Sequence, residues 1–208
     1  MGKIVIVDYG CGNILSLKRA LKFVGFEPEL TNDKNKILKA NSVILPGVGA
    51  FGNAMQLLNK KGLVSVLKDY ANKEKKPLLG ICLGMQILLS KGFEFGENKG
   101  LDLIPGVVDR IKLKDQNNKI PHIGWNKIFI DQKNHSLFDF DSEKFYFVHS
   151  FIAITKKLDN TLAKTEYGGV KLPAIIKMKN IIGCQFHPEK SRSIGLEFLK
   201  NFCMNKFI

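Results

Sequence analysis

The sequence predicts a single α/β domain with a doubly wound, mostly parallel central sheet, flanking helices and a smaller antiparallel β region in the second half. In the first half, short β-branched runs typical of buried strands alternate with segments of helical periodicity. After Gly92, short aromatic or β-branched runs are bounded by Gly, Asn, Asp and Pro, as in antiparallel hairpins. Because the 208 residues contain no evident repeat or linker, residues 1–208 are expected to form one domain.

The predicted elements follow in chain order. The strands of the first half are Ile4–Val7, Glu29–Thr31, Ser42–Leu45 and Leu78–Ile81. Apolar residues at helical spacing predict helices in residues 14–24, 54–58, 63–70 and 85–89. The strands of the second half are residues 107–113, 120–130, 144–154, 162–167, 172–178 and 181–186, and a helix at 195–202 closes the chain.

Composition and charge exclude several classes of protein. The net charge of +13 comes from lysines scattered along the chain, which favours a solvated surface over a nucleic-acid site. A basic rim that attracts an acidic partner or a phosphorylated substrate is the weaker alternative. The four cysteines are far apart and form no C-x-x-C pair, which suggests neither a zinc site nor a disulfide framework, and we expect no metal and no cofactor. No signal peptide or membrane span is recognisable, and we expect a soluble cytoplasmic protein.

The predicted strand Leu78–Ile81 leads directly into Cys82, in the pattern Gly80-x-Cys82-x-Gly84. This is the cysteine form of a nucleophile elbow, a sharp strand-to-helix turn that presents a side chain at the carboxyl edge of a sheet. The turn would aim the amide of Leu83 at a group bound to the sulfur and stabilise an oxyanion there. A buried structural cysteine between strand and helix is the alternative.

Two glycine-rich loops follow predicted strands. Residues 8–13 lack the third glycine and the later acidic residue of a dinucleotide-binding fingerprint, so we interpret them as a loop that approaches a ligand or a neighbouring loop. Residues 46–52 contain three glycines beside Pro46, which leaves backbone N–H groups available. They lie at the end of a strand, where open α/β sheets place their sites, although an ordinary tight connection has the same composition.

A nucleophilic cysteine needs a base, and His187 has the most informative context of the four histidines. It follows a predicted buried strand, as Cys82 does, so the two side chains can meet above one sheet edge. In an extended segment Glu189 would face the same way as His187 and could accept from one imidazole nitrogen. A surface His-Pro-Glu turn is the alternative, which the glycine loop and the elbow cysteine together disfavour.

At this point the motifs resemble a known family. Residues 80–86 and 185–191 are similar to those of class I, triad-type glutamine amidotransferases. Residues 8–13, 45–52, 121–126 and 146–150 narrow the resemblance to the glutaminase subunits of imidazole glycerol phosphate synthase, over essentially the whole chain. Two positions depart from that pattern: Cys11 lies at a variable position of the first loop, and Phe151 stands where Tyr is common.

The resemblance implies roles for individual residues. Cys82 would attack the side-chain amide of L-glutamine, His187 would transfer the protons, and Glu189 would orient His187. A glutamyl thioester would form and be hydrolysed to glutamate, with release of ammonia. The implied oxyanion-hole residues are Gly47, Val48, Gly49 and Leu83. The implied substrate-binding residues are Gln86, Glu94, His149 and Ser150.

The resemblance also implies a partner. A cyclase subunit with a (β/α)₈ barrel would form a heterodimer with this chain and use the ammonia in histidine biosynthesis, without nucleic acid or membrane contact. The implied partner-interface residues are Asn13, Pro121, Trp125, Asn126 and Lys190. The loop at residues 46–49 would act as a switch, completing the oxyanion hole only when the partner binds its substrate, so we expect low activity for the isolated chain.

Two other functions remain compatible with the sequence. A paralogue with the same triad could supply ammonia to an enzyme that amidinates sugars, because the acceptor would bind elsewhere. A γ-glutamyl hydrolase or peptidase on a related sheet would act without a partner on extended glutamyl substrates.

Overall fold

A computed structural model describes residues 2–115, 117–131 and 136–207. Its helices are α1 Ile14–Phe23, α2 Lys34–Lys39, α3 Phe51–Lys60, α4 Leu63–Asn72, α5 Leu83–Ile87 and α6 Arg192–Cys203. Its strands are β1 Ile4–Val7, β2 Glu29–Thr31, β3 Ser42–Leu45, β4 Leu78–Ile81, β5 Leu89–Gly92, β6 Asn98–Lys99, β7 Ile104–Arg110, β8 His122–Ile130, β9 Lys144–His149, β10 Phe151–Thr155, β11 Thr161–Tyr167, β12 Val170–Met178 and β13 Ile181–Cys184.

The strands form two sheets. The larger has nine strands within the described residues, in the order β2-β1-β3-β4-β13-β12-β11-β8-β9. From β2 to β13 the neighbours are parallel, and from β13 to β9 they are antiparallel. The smaller sheet has the order β10-β7-β5-β6. The predicted α/β class is confirmed, with the antiparallel strands of the second half largely continuing the central sheet.

The parallel strands form the centre because they have no polar face. Every residue of β1, β3, β4 and β13 is buried, as expected for strands covered by helices on both sides. Val5 and Val7 of β1 pack in one cluster with α3 and α4, and Ile4 and Ile6 pack in the other with α1 and α6. The alternation of side chains along a strand therefore divides the core into two halves.

Three local predictions need correction. The predicted strand 144–154 is two strands, because the chain turns at Ser150 and β10 joins the smaller sheet. The predicted helix 85–89 begins at Leu83 and ends at Ile87, and β5 follows it. Helix α2 was not predicted. Only Ile37 of its residues is buried, so it has no periodic signal, and it begins where Asp33 accepts a 2.9 Å hydrogen bond from the Lys36 amide.

The carboxyl ends of β1, β3, β4 and β13 lie along one edge of the large sheet, because these strands are parallel neighbours. Four segments therefore meet there: the loop at residues 8–13, the loop at residues 46–49, Cys82 after β4, and His187 beyond β13. Within the described ranges, no helix is both long enough and apolar enough to cross a membrane.

Candidate active site

Cys82 occupies a strained turn between β4 and α5. Its φ of +53° and ψ of −110° lie outside the regions that L-residues normally adopt. The flanking glycines are required by close backbone contacts. A Cβ atom on Gly84 would lie 1.9 Å from the Leu45 carbonyl oxygen, and one on Gly80 would lie 2.6 Å from the Gly84 oxygen. The sequence therefore presents the Cys82 side chain at the sheet edge, as the elbow pattern predicts.

His187 and Glu189 form a buried pair. The imidazole Nδ1 lies 2.8 Å from Glu189 Oε1, and each side chain is only 3% exposed. The contact was expected, but the backbone conformation that produces it was not. His187 is extended, whereas Pro188–Lys190 form a short 3₁₀ turn that brings Glu189 back to the ring. The assumption of a continuous extended segment is wrong, and the turn makes the contact instead.

The charge state of His187 follows from its neighbours. Burial alone lowers the pKa of His187, but hydrogen bonds and charges from Cys82 and Glu189 outweigh burial and raise the pKa to about 10. Since Nδ1 lies against Glu189, the imidazole nitrogen left to interact with Cys82 is Nε2. A protonated imidazole stabilises negative charge on a neighbouring sulfur. The negatively charged thiolate is the form of cysteine that attacks a carbonyl carbon.

Ser191 fixes the backbone of His187. Its hydroxyl donates a 2.7 Å hydrogen bond to the His187 carbonyl and accepts a 3.0 Å hydrogen bond from the Tyr146 amide. The His187 amide in turn donates to the Tyr146 carbonyl at 2.9 Å. These bonds tie the turn after β13 to β9. Ser191 lies in the motif at residues 185–191, but the sequence analysis assigned it no role.

A pair of glutamine side chains connects Cys82 with Phe151. Gln185 directs its amide Nε2 at the sulfur, 3.6 Å away. Gln86 donates from its own Nε2 to Gln185 Oε1 at 3.1 Å and to the Phe151 carbonyl at 3.0 Å. Gln86 was predicted as a substrate-binding residue. In the structure its amide supports Gln185, whose contact with the sulfur was not predicted, and its role toward a substrate stays a prediction.

The loop at residues 46–49 borders the same site. The Tyr9 hydroxyl donates a 2.7 Å hydrogen bond to the Pro46 carbonyl, and burial raises the pKa of Tyr9, so the hydroxyl keeps its proton. Gly47 is packed so closely that a Cβ atom there would lie 2.7 Å from the Tyr9 oxygen. Gly49 has a φ of +100°, which favours glycine.

A cavity of about 300 Å³ opens above the sulfur. This volume is at the small end of ligand sites, which fits an amino acid. Cys82 and His187 line it together with the predicted residues Val48, Gly49, Leu83, Gln86, Glu94, His149 and Ser150. Gly47 lies behind the cavity, in a narrow gap beside Asn13 and Glu189. The Glu94 carboxylate accepts a 2.8 Å hydrogen bond from the Phe51 amide, which holds it at the cavity wall.

Four of the residues predicted to face a partner lie at the start of β8 or in the turn after β13. Trp125 is 39% exposed and therefore not a core residue. The Arg192 guanidinium lies 4.9 Å from the centre of its ring, and Tyr146 packs against it at 5.9 Å. The Lys190 ammonium lies over the ring of Tyr146, 5.7 Å from its centre. Pro121 is exposed, and Asn126 is half-buried. The role of this surface stays a prediction.

The site contains the groups that a thiol-dependent acyl-transfer enzyme requires: a cysteine on a sharp turn, an imidazole that lines the same cavity, and a buried carboxylate. Their position at the carboxyl edge of a parallel sheet is that of an α/β enzyme. Comparison with known families makes the class specific. The model of the class I glutamine amidotransferase family matches residues 5–206, so the chain belongs to that family, as its motifs predict.

Individual relatives are similar over nearly their whole length. The imidazole glycerol phosphate synthase subunit HisH of Carboxydothermus hydrogenoformans is 48% identical over 198 residues, covering 95% of this chain and 96% of that protein. The protein of the same name from Lactococcus lactis is 46% identical over 203 residues, covering 97% and 98%.

Solved structures share the fold at low sequence identity. One described as PurLQS from Thermotoga maritima has a TM-score of 0.71 and 19% identity, covering 99% of this chain and 98% of that chain. Another, described as a glutamine amidotransferase, has a TM-score of 0.70 and 18% identity, covering 96% and 97%. At these identities the likeness concerns the fold alone.

Proposed function

We propose that the chain is the glutaminase subunit of imidazole glycerol phosphate synthase. It hydrolyses L-glutamine to glutamate and ammonia, and the ammonia passes to a cyclase subunit for histidine biosynthesis. The observation that carries this proposal is the arrangement of Cys82, His187 and Glu189 at one small cavity, in a chain that is 48% identical to a named subunit of that synthase.

The proposed reaction begins with attack of Cys82 Sγ on the side-chain amide carbon of glutamine. The proton held at His187 Nε2 passes to the amide nitrogen, which leaves as ammonia, and a glutamyl thioester remains on the sulfur. His187 then takes a proton from water as the water attacks the thioester, which releases glutamate and restores the sulfur. Glu189 keeps the imidazole oriented and stabilises its positive charge through the 2.8 Å contact with Nδ1.

The tetrahedral intermediates need donors for the negative oxygen. In this proposal the Leu83 amide and an amide of the loop formed by Gly47, Val48 and Gly49 supply them. Glu94 pairs with the α-ammonium of glutamine, because its carboxylate is fixed at the cavity wall by the Phe51 amide. Gln86, His149 and Ser150 complete the binding site.

Ammonia becomes ammonium in water, so a partner must receive it directly. We propose that the partner is a cyclase with a (β/α)₈ barrel. It forms a heterodimer through the surface of Asn13, Pro121, Trp125, Asn126 and Lys190, and it yields imidazole glycerol phosphate and an aminoimidazole carboxamide ribotide. A cytoplasmic location belongs to the proposal, because all four cysteines are free thiols and the reaction requires Cys82 in that state.

Glutamate release from glutamine tests the proposal, measured with and without the candidate cyclase and its nucleotide substrate. We expect turnover with the partner, loss of turnover in Cys82→Ala, and near-normal turnover in Cys184→Ala. Cys184 is a suitable control because it is also buried, at the end of the neighbouring strand β13, but does not line the cavity. Full hydrolysis by Cys82→Ala would overturn the mechanism.

The acceptor of the ammonia is tested separately by complementation of a histidine auxotroph. Rescue by the wild-type gene is expected. Failure to rescue, with glutaminase activity intact, would favour a paralogue that serves a sugar-amidinating enzyme. Rapid turnover by the isolated chain would contradict the switch proposed for residues 46–49.

A further inference from the structure

A second series of hydrogen bonds extends away from the catalytic groups. His149 Nδ1 lies 2.9 Å from the Phe151 carbonyl oxygen, and its Nε2 lies 3.0 Å from His122 Nδ1. His122 Nε2 donates a 2.9 Å hydrogen bond to Asn126 Oδ1, and Asn126 Nδ2 donates to the Glu166 carbonyl at 3.2 Å. Both imidazoles are buried, with His122 at 0% exposure. The series therefore connects a wall of the glutamine cavity with β8 and β11.

The direction of these bonds follows from the fixed acceptor at one end. A carbonyl oxygen only accepts, so His149 Nδ1 carries a proton. Burial lowers the pKa of His149 to about 3, so this ring is neutral at physiological pH, whereas the hydrogen bond to Asn126 opposes the effect of burial on the pKa of His122. Neutral His149 must then accept through Nε2, and the donor is His122 Nδ1. Thus each ring donates through Nδ1 in the direction of Phe151, and in this arrangement His122 also carries a proton on Nε2, which it donates to Asn126 Oδ1.

The Phe151 carbonyl is the junction between this series and the catalytic sulfur. It accepts from His149 Nδ1 and, at 3.0 Å, from Gln86 Nε2. Gln86 also donates to Gln185 Oε1, and Gln185 Nε2 faces Cys82 Sγ. A displacement of the Phe151 carbonyl would therefore move the amide that contacts the sulfur.

We propose that His122 is a positioning residue for glutamine hydrolysis. Its Nδ1–H fixes the His149 ring, and His149 fixes the Phe151 carbonyl on which Gln86 and Gln185 depend. This inference rests on the proposed glutaminase function, but its effect on the sulfur can be measured without glutamine.

A packing role is the competing explanation, because His122 is stacked between two rings. Phe147 lies at a centroid distance of 4.9 Å with an interplanar angle of 20°, and Tyr167 lies at 4.1 Å with 25°. Two substitutions separate the roles. His122→Phe keeps an aromatic ring in the stack but leaves His149 Nε2 without a donor. His122→Asn loses the ring but places an amide N–H where Nδ1 stood.

Glutamate release is measured with the wild-type chain and both variants in complex with the candidate cyclase and its nucleotide. We expect His122→Phe to lower kcat about 3- to 10-fold, the effect of losing one buried hydrogen bond, with a smaller change in KM. His122→Asn should retain more than half of the wild-type kcat. The opposite ranking, or a wild-type kcat in His122→Phe, would overturn the proposal.

The second measurement is the rate at which iodoacetamide alkylates Cys82, followed by the mass of the peptide that contains it. His122→Phe should react about threefold more slowly than wild type, and His122→Asn should react at nearly the wild-type rate. If the wild-type complex releases no glutamate, the proposed function fails, and the ranking of the alkylation rates still decides the role of His122. Equal rates in all three proteins would refute it.

Discussion

The Tyr9 hydroxyl donates a 2.7 Å hydrogen bond to the carbonyl oxygen of Pro46. The two residues belong to different glycine-rich loops, which meet because β1 and β3 are neighbouring parallel strands. The contact fixes the peptide plane between Pro46 and Gly47, at the start of the segment proposed to supply oxyanion donors. Gly12 supports the same approach, since a Cβ atom there would lie 3.0 Å from Pro46 Cβ.

Replacement of this tyrosine tests whether a fixed loop is needed for turnover. Tyr9→Phe leaves the buried Pro46 carbonyl without its donor, so we expect the free energy of unfolding to fall by about 1–2 kcal/mol. We also expect kcat to fall about tenfold, because donors that are not held in place stabilise the oxyanion less. Chemical denaturation and glutamate release with the partner measure the two effects.

Tyr70→Phe is the matched control for this prediction. Tyr70 is also fully buried, and its hydroxyl donates to a proline carbonyl, that of Pro77, at 3.1 Å. It lies at α4, away from the cavity, so it should show a comparable loss of stability with an unchanged kcat. A kcat loss of equal size in both variants would mean that stability, and not the position of the loop, limits activity.

The sequence was sufficient for the parts of the site that local patterns encode. The elbow at Cys82 was predictable because the apolar run before it and the glycines around it are all within seven residues. The contact of His187 with Glu189 was predictable as a pair, although the 3₁₀ turn that makes it was not.

Other features of the site depend on contacts between residues that are far apart in the sequence. Tyr9, Ser191 and His122 act through backbone carbonyls or through rings on other strands, and no local spacing encodes such contacts. The break at Ser150 was missed for a similar reason. Residues on both sides of it have strand-like composition, and only the packing of the smaller sheet directs β10 away from β9. The motifs contained these residues without indicating what each one does.

The pH dependence of stability should report the buried His187–Glu189 pair. The pKa of His187 in the folded chain, about 10, lies above the ordinary value of 6.5. Protonated His187 therefore stabilises the fold fully below about pH 6.5, and this contribution is lost as the pH rises through about 10. Glu189→Gln removes one group that raises the pKa of His187 in the folded chain, so the loss of stability should end at a lower pH and be smaller in total.

Urea unfolding of wild type and Glu189→Gln between about pH 6 and about pH 10 measures this shift. Glutamine hydrolysis should also fall about 100-fold in the variant, because the imidazole loses the group that orients it and stabilises its charge. Glu27→Gln removes an exposed carboxylate paired with Lys22 and should leave the pH profile unchanged. Superimposable profiles for wild type and Glu189→Gln would contradict the assigned charge state.

Ser191 provides a test of backbone positioning. Ser191→Ala removes the donor to the His187 carbonyl and the acceptor of the Tyr146 amide, so we expect about 1–3 kcal/mol less stability and a lower kcat. Thr165→Val is the control, because it removes a buried hydroxyl that donates to the Lys127 carbonyl at 2.8 Å, away from the cavity. Only Ser191→Ala should lower kcat, and equal kcat values for the two variants would show that the His187 backbone needs no such support.

Substitution of Gln185 should affect the Cys82 sulfur directly and leave the His187 imidazole in place. Gln185→Met has a similar length but lacks the N–H that faces Cys82 Sγ and the oxygen that accepts from Gln86. We expect about tenfold lower kcat and slower alkylation of Cys82, since a buried N–H no longer stabilises charge on the sulfur. Asn180→Leu is the control: it also removes a buried amide with two hydrogen bonds, to the Ala71 and Lys76 carbonyls, and should lower stability alone. If Gln185→Met loses stability but keeps its kcat and alkylation rate, the amide acts only in packing, and the link from Phe151 to the sulfur has no catalytic consequence.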